Sequence, residues 1–140
     1  MPSLTELASY LESIAPAQIA ESWDNVGVLV RCAQEVTGVL CALDITPATV
    51  REARAVGCNV IVSHHPVIFR PLKELCQDDV PALLVREGVS AVCMHTNLDK
   101  AQGGVNDVLA QALGLRDTEP FAGGIGRVGA LPETMEAAAF

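Results

Sequence analysis

Two adjacent histidines, His64 and His65, close a short apolar run, Val60-Ile61-Val62-Ser63, and are followed at once by Pro66. The third histidine of the chain, His95, closes a second apolar run, Ala91-Val92-Cys93-Met94, and Asp99 lies four residues further on. Imidazole and carboxylate together suit a divalent metal and fit zinc, iron, nickel or manganese equally well. Successive side chains on an extended chain point to opposite sides. Proline also biases the residue before it, here His65, towards extended backbone. Neighbouring histidines held this way do not readily chelate one ion, but each can serve one member of a metal pair about 3.5–4 Å apart. The spacing therefore nominates His64, His65 and Asp99 as ligands, with His95 either joining them or standing beside them. Asp44, at the end of another apolar run, reads as a loop or capping residue, or as a hydrogen-bond partner of a ligating imidazole. A single histidine at a strand end is ordinarily just hydrogen-bonded, so the joint pattern carries the metal reading.

Other chemistries find less support. Gly124-Ile125-Gly126-Arg127-Val128-Gly129 has the form of a dinucleotide fingerprint. That fingerprint needs a buried strand before it and a helix after it. Asp117-Thr118-Glu119-Pro120 reads as no buried strand, and Pro132 obstructs a continuous helix. No serine sits in a G-x-S-x-G elbow. The five cysteines are odd in number and form no Cys-x-x-Cys pair, which argues for reduced, mostly buried thiols. Cys41 and Cys93, inside apolar runs, should behave as small hydrophobes. Seventeen acidic against nine basic residues give a net charge of −8. Direct binding to a nucleic-acid backbone needs clustered Lys and Arg and is disfavoured. The apolar runs are too short to span a membrane. The N-terminus has no signal-peptide pattern, so a cytoplasmic location is expected.

The elements that must position these residues can be read from periodicity. Ser3-Leu4-Thr5-Glu6 is a capping box opening a helix through Ala15, which Pro16 ends. Trp23-Asp24-Asn25 lies in a turn, where the tryptophan should anchor the loop on the core or wall a site. Strands are expected over Val28–Val30, Val36–Leu43, Val60–Ser63 and Val89–Met94. Thr46-Pro47 should start a helix with Val50, Ala53 and Val56 inward and Gly57 as its stop. After a loop from Ile68 to Gln77, Asp78 or Asp79 should open a helix ending at Gly88. Val105, Val108, Leu109, Ala112 and Leu113 recur at helical spacing before Gly114. Strands alternating with helices predict an α/β fold with a mostly parallel sheet flanked by helices. Asp44, His64, His65 and His95 then fall at the carboxyl ends of strands, where such sheets collect ligands. The expected division is an α/β metal-site domain over 1–116 and a Gly-rich tail over 117–140. Pro132-Glu133-Thr134-Met135-Glu136 reads there as the start of a helix in a second part.

At Trp23-Asp24-Asn25-Val26-Gly27, Leu43-Asp44, Ser63-His64-His65-Pro66, His95-Thr96-Asn97-Leu98-Asp99 and Gly123-Gly124-Ile125-Gly126-Arg127 the chain resembles the NIF-three-like family. These are dinuclear-metal proteins often labelled GTP cyclohydrolase 1 type 2 homologues. The resemblance implies a two-part α/β fold of which this chain is the N-terminal part, and a toroidal hexamer with metal pairs facing its interior. It implies His64 and His65 as ligands to different metals, Asp99 as a further ligand, and His95 at or beside the site; in a hydrolase His95 would then be the catalytic proton shuttle or a group standing behind the ligands. Members of the family carry a further His-x-x-x-Glu ligand pair nearer a more distant C-terminus. All three histidines here are already assigned, so this chain should hold only part of the metal shell and leave an apolar face uncovered. The function expected is a metal-dependent hydrolase acting on a phosphate-containing or cyclic-amidine small molecule. The alternatives are a non-catalytic metal- or partner-binding scaffold and an inactive N-terminal fragment.

Overall fold

A computed structural model describes residues 1–138. The capping box forms as expected. The Ser3 hydroxyl accepts from the Glu6 N–H at 3.1 Å, and the Glu6 carboxylate accepts from the Ser3 N–H at 2.7 Å. Helix α1 (Leu4–Ile14) follows and lays Leu4 against one face of the sheet.

Three strands run parallel in the order β4 (Ser90–Cys93), β3 (Val60–Ser63), β2 (Val39–Ala42), and β1 (Gly27–Val30) joins β4 antiparallel. The sheet is thus mostly parallel. Its two central strands are apolar on both faces, as burial on both sides requires. Val50 and Ala53 of α2 (Pro47–Ala55) and Leu84 of α3 (Val80–Glu87) pack with Ile61 and Ala91 on one face. Leu4 packs with Val60 and Val92 on the other. Leu11 of α1 extends that second layer towards Ala15, Met94 and Ala101.

Several expectations are corrected. The second strand is shorter than Val36–Leu43, because the Val36 N–H is taken by Pro2 O at 2.8 Å instead of by a neighbouring strand. Val56 is exposed, since α2 ends at Ala55 and the chain reverses through Gly57. Gly88 does stop α3, in the left-handed conformation at φ +67°, which costs glycine little. Cys41 and Cys76 are exposed, although Cys93 is buried.

Two further differences bear on the site. Periodicity names no element over His95 to Asp99, yet a short helix, α4 (Thr96–Lys100), starts immediately after His95. Helix α5 (Val105–Ala112) forms with the predicted period, which does not say what covers its apolar side. Val105, Val108 and Leu109 face solvent and only Ala110 is buried. Its polar side instead holds a hairpin, β5 (Arg116–Phe121) with β6 (Gly126–Ala130). Asn106 Nδ2 donates to Ile125 O at 2.7 Å, and Arg127 pairs with Asp107. The Gly-rich segment is therefore a turn and a strand, and β5 is exposed throughout its length. Among the described residues no helix follows Pro132, and no helix is long and apolar enough to cross a membrane.

Candidate metal centre

The sheet fixes the backbone of both adjacent histidines. Hydrogen bonding to the neighbouring strand continues past β3, with His64 N–H donating to Ala42 O at 3.1 Å and His65 N–H to Leu43 O at 2.9 Å. Ser63, itself buried, donates its hydroxyl to His65 O at 2.8 Å. The chain bends at both residues rather than staying extended, so the rings do not splay to opposite sides as the spacing suggested. Their centroids are 5.2 Å apart.

His95 reaches the same place from β4. Its ring centroid is 5.2 Å from that of His64 and 5.7 Å from that of His65. One ligating nitrogen from each of the three rings lies within 4.8 Å of the other two. Because α4 begins at Thr96, Asp99 sits one helical turn after His95 and on the same side. One of its carboxylate oxygens is 3.6 Å from His64 Nε2.

Every Nδ1 in the cluster is already engaged. His64 Nδ1 lies 3.0 Å from Met94 O, His65 Nδ1 2.8 Å from Asp44 Oδ1, and His95 Nδ1 2.9 Å from Asp24 Oδ1. A carbonyl oxygen carries no hydrogen, so the His64 proton must sit on Nδ1. The two carboxylates favour the same tautomer for His65 and His95. All three Nε2 atoms are then left as lone pairs. This is how ligating histidines are oriented, by an oxygen acceptor behind the ring.

The donor set fits a divalent cation. The 3.6 Å between His64 Nε2 and Asp99 is too long for a hydrogen bond. Two ligands each about 2.0–2.2 Å from one ion at a tetrahedral angle stand about 3.4 Å apart. The three carboxylates pair only with these imidazoles among the described residues. With the rings neutral, the cluster carries net negative charge and attracts a cation. The site is open on the side of His65 and Asp44, whose side chains are 47% and 57% exposed.

Asp24 is the site residue that spacing did not single out. Its side chain is fully buried. Besides His95 it takes the Thr96 N–H at 3.1 Å and the Thr96 hydroxyl, so one carboxylate orients a ring and caps α4. Burial opposes its ionisation, but hydrogen bonds from His95, Thr96 and Asn25 outweigh it and hold the carboxyl below its ordinary 3.8. Its 71-residue separation from His95 leaves no local signal, and only its place beside Trp23 in a turn hinted at a role. Asp24→Asn removes the charge and an acceptor; we expect cobalt(II) affinity to fall about 10–100-fold in an absorption titration.

Trp23 does not anchor the core. It is 58% exposed and stands edge-on to Phe69 and to His95, with centroids 6.0 and 6.5 Å away. Cys93 lies beneath the cluster and donates its thiol to His64 O at 3.2 Å. Burial first, and then the Asp24 charge, push that thiol up to about 12, which disfavours the thiolate. In native protein at pH 8, iodoacetamide should label the exposed Cys41 and Cys76 within minutes and spare Cys93 until denaturant is added. Mass spectrometry of the peptides reads this directly.

The family described as Duf34/NIF3 (NGG1p interacting factor 3) matches residues 2–140. A Staphylococcus aureus protein named GTP cyclohydrolase 1 type 2 homolog is 42% identical over 118 residues, covering 81% of this chain and 32% of its own length. The solved structure of a Bacillus cereus protein related to NIF3 superposes with a TM-score of 0.78 at 40% identity, covering 85% of this chain and 34% of that one. Reduced HcgD from Methanocaldococcus jannaschii gives 0.82 at 28% identity, covering 91% and 54%. The chain thus spans about a third of the staphylococcal relative and about half of the archaeal one. With that match along its whole length, the chain belongs to the Duf34/NIF3 family.

Proposed function

We propose that the cluster is part of a dinuclear metal centre that hydrolyses a small phosphate-containing or cyclic-amidine molecule. The observation that carries this reading is the convergence of three imidazoles whose Nδ1 atoms all face oxygen acceptors, with Asp99 beside them. His64, His65 and Asp99 would hold the ions. Divalent ions bound there supply Lewis acidity and lower the pKa of water.

The chain's own groups supply the rest. His95, backed by a buried Asp24, can accept a proton at Nε2 while its Nδ1–H stays on the carboxylate. Asp44 orients His65 from the open side, where a substrate would arrive. In this reading the protein is a cytoplasmic homo-oligomer, hexameric as in the resemblance noted above, with zinc, iron, nickel or manganese as the metal.

A non-catalytic partner-binding scaffold is the second reading. It draws on a groove of about 520 Å³ lined by Leu11, Ile14, Leu43, Val62, Leu98 and Val105, next to the cluster. The two separate in His65→Ala, assayed against a panel of phosphate esters and cyclic amidines. Loss of turnover supports the hydrolase. Unchanged turnover, or none in wild-type protein loaded with each of the four metals, sinks it.

A further inference from the structure

Gly124-Ile125-Gly126-Arg127 forms the turn between β5 and β6, and its arginine is turned back into the molecule, with a side chain only 8% exposed. Arg127 Nε pairs with Asp107, and Nη1 donates to Gly124 O at 2.8 Å and to Gly126 O at 3.0 Å. Nη2 donates to Lys100 O at 3.4 Å. Four of the five N–H groups of the guanidinium are thus engaged. An arginine enclosed this way has little left to offer an incoming anion. What it holds is the end of α4.

Helix α4 has only five residues, too few to keep its shape in water unaided. Its last carbonyls need partners from elsewhere. Arg127 supplies one to Lys100 O, and Asn106 Nδ2 supplies another to Asp99 O at 3.3 Å. The same amide group donates to Ile125 O at 2.7 Å, so α5 and the hairpin close on α4 together. Asp107, the partner of Arg127, also takes the Gly103 N–H at 2.6 Å, which fixes the loop between α4 and α5.

Asp99 differs from the histidines in what holds it. His64 and His65 are bonded through their backbone to the chain beyond β2, and His95 follows β4 with Asp24 behind its ring. The carboxylate depends on α4 alone. We propose that Arg127 and Asn106 are positioning residues of the metal centre, clamping the carbonyl end of α4 so that Asp99 can share an ion with His64. The inference rests on the metal reading of the cluster. Releasing the clamp removes the carboxylate from the site and leaves the three imidazoles in place.

Arg127→Met and Asn106→Ala test this, with cobalt(II) affinity read by absorption titration. Each variant is expected to bind about tenfold more weakly than wild type, the low end for groups that orient a ligand from behind. In an Asp99→Asn background the same changes should alter affinity less than about twofold, because the ligand they position is already gone. A clamp that only stabilised the fold would lower affinity by the same factor in both backgrounds, and that result overturns the proposal. So does an unchanged affinity in either single variant. Hydrogen exchange of the metal-free protein gives a second readout. Amides of residues 97–101 should exchange faster in both variants, and those of 60–65 at the wild-type rate; unchanged exchange at 97–101 also overturns the proposal. Wild-type protein that binds no cobalt sinks the metal reading and the clamp's role in it together. Cobalt binding that the variants leave unchanged sinks the clamp alone.

Discussion

Exchanging His64 and His65 together for alanine is expected to lower cobalt(II) or zinc affinity by more than about a hundredfold. Loss of a hydrogen-bond partner behind a ligating imidazole already costs about 10–100-fold. Here two of the three converging Nε2 lone pairs vanish, and Asp99 loses the imidazole 3.6 Å from it. The fold should survive. The backbone bonds from His64 N–H to Ala42 O and from His65 N–H to Leu43 O do not depend on the rings. His65 is also nearly half exposed, so its removal leaves no cavity. Calorimetric titration of metal into wild type and variant gives the affinities, and circular dichroism checks the fold. An unchanged metal affinity would mean that the three rings are only a hydrogen-bonded cluster.

The second large effect is structural, and it lies away from the histidines. Gly104→Ala should be among the most destabilising single changes in the chain, costing about 3 kcal/mol or more. A Cβ at this position would stand 2.0 Å from Leu98 O and 2.9 Å from Ala101 O. Both are backbone atoms, one within α4 and one just after it, so no side-chain rotation relieves the clash. The Gly104 N–H also donates to Ala101 O at 3.0 Å, which fixes the turn joining α4 to α5. Its φ is negative, so close approach rather than backbone strain demands the glycine here. Forcing the turn apart displaces α4, and with it Asp99. We expect a melting temperature lower by about 10 °C and weaker metal binding in the folded fraction. A thermal melt followed by fluorescence measures the first quantity. A change of less than about 2 °C would show that the turn yields easily.

Much of this was legible in the chain because the determinants are local. The Ser3–Glu6 box, the Thr46-Pro47 start of α2 and the Gly88 stop each act within one helical turn, and each forms as the residues predict. The parallel order of β2, β3 and β4 follows from strands separated by α2 and α3. His64, His65, His95 and Asp99 could be nominated because each sits within a few residues of a strand's carboxyl end. What escaped depends on contacts between distant segments. Asp24 becomes a site residue only when the turn after α1 crosses the start of α4. Helix α4 was hidden because its cap is that same distant carboxylate rather than a local Ser or Asp. Periodicity marked the apolar side of α5, but it reports amphipathicity and not what covers that side, which is exposed. Trp23 was expected to pack inward because large aromatics usually do, yet its neighbours are Phe69 and His95 at the surface. Strand β5 is exposed and β6 is short and glycine-rich, so neither alternation nor hydrophobicity marked the hairpin.

The account stands on a cluster of imidazoles and a carboxylate arranged to hold a cation, and the most direct measurement is metal content per chain. Elemental mass spectrometry should be run on protein purified without a polyhistidine tag, for wild type and for His64→Ala/His65→Ala in parallel. The account predicts stoichiometric divalent metal in the wild type that is lost in the double variant. Wild-type protein that stays metal-free after incubation with zinc, iron, nickel and manganese in turn would contradict it.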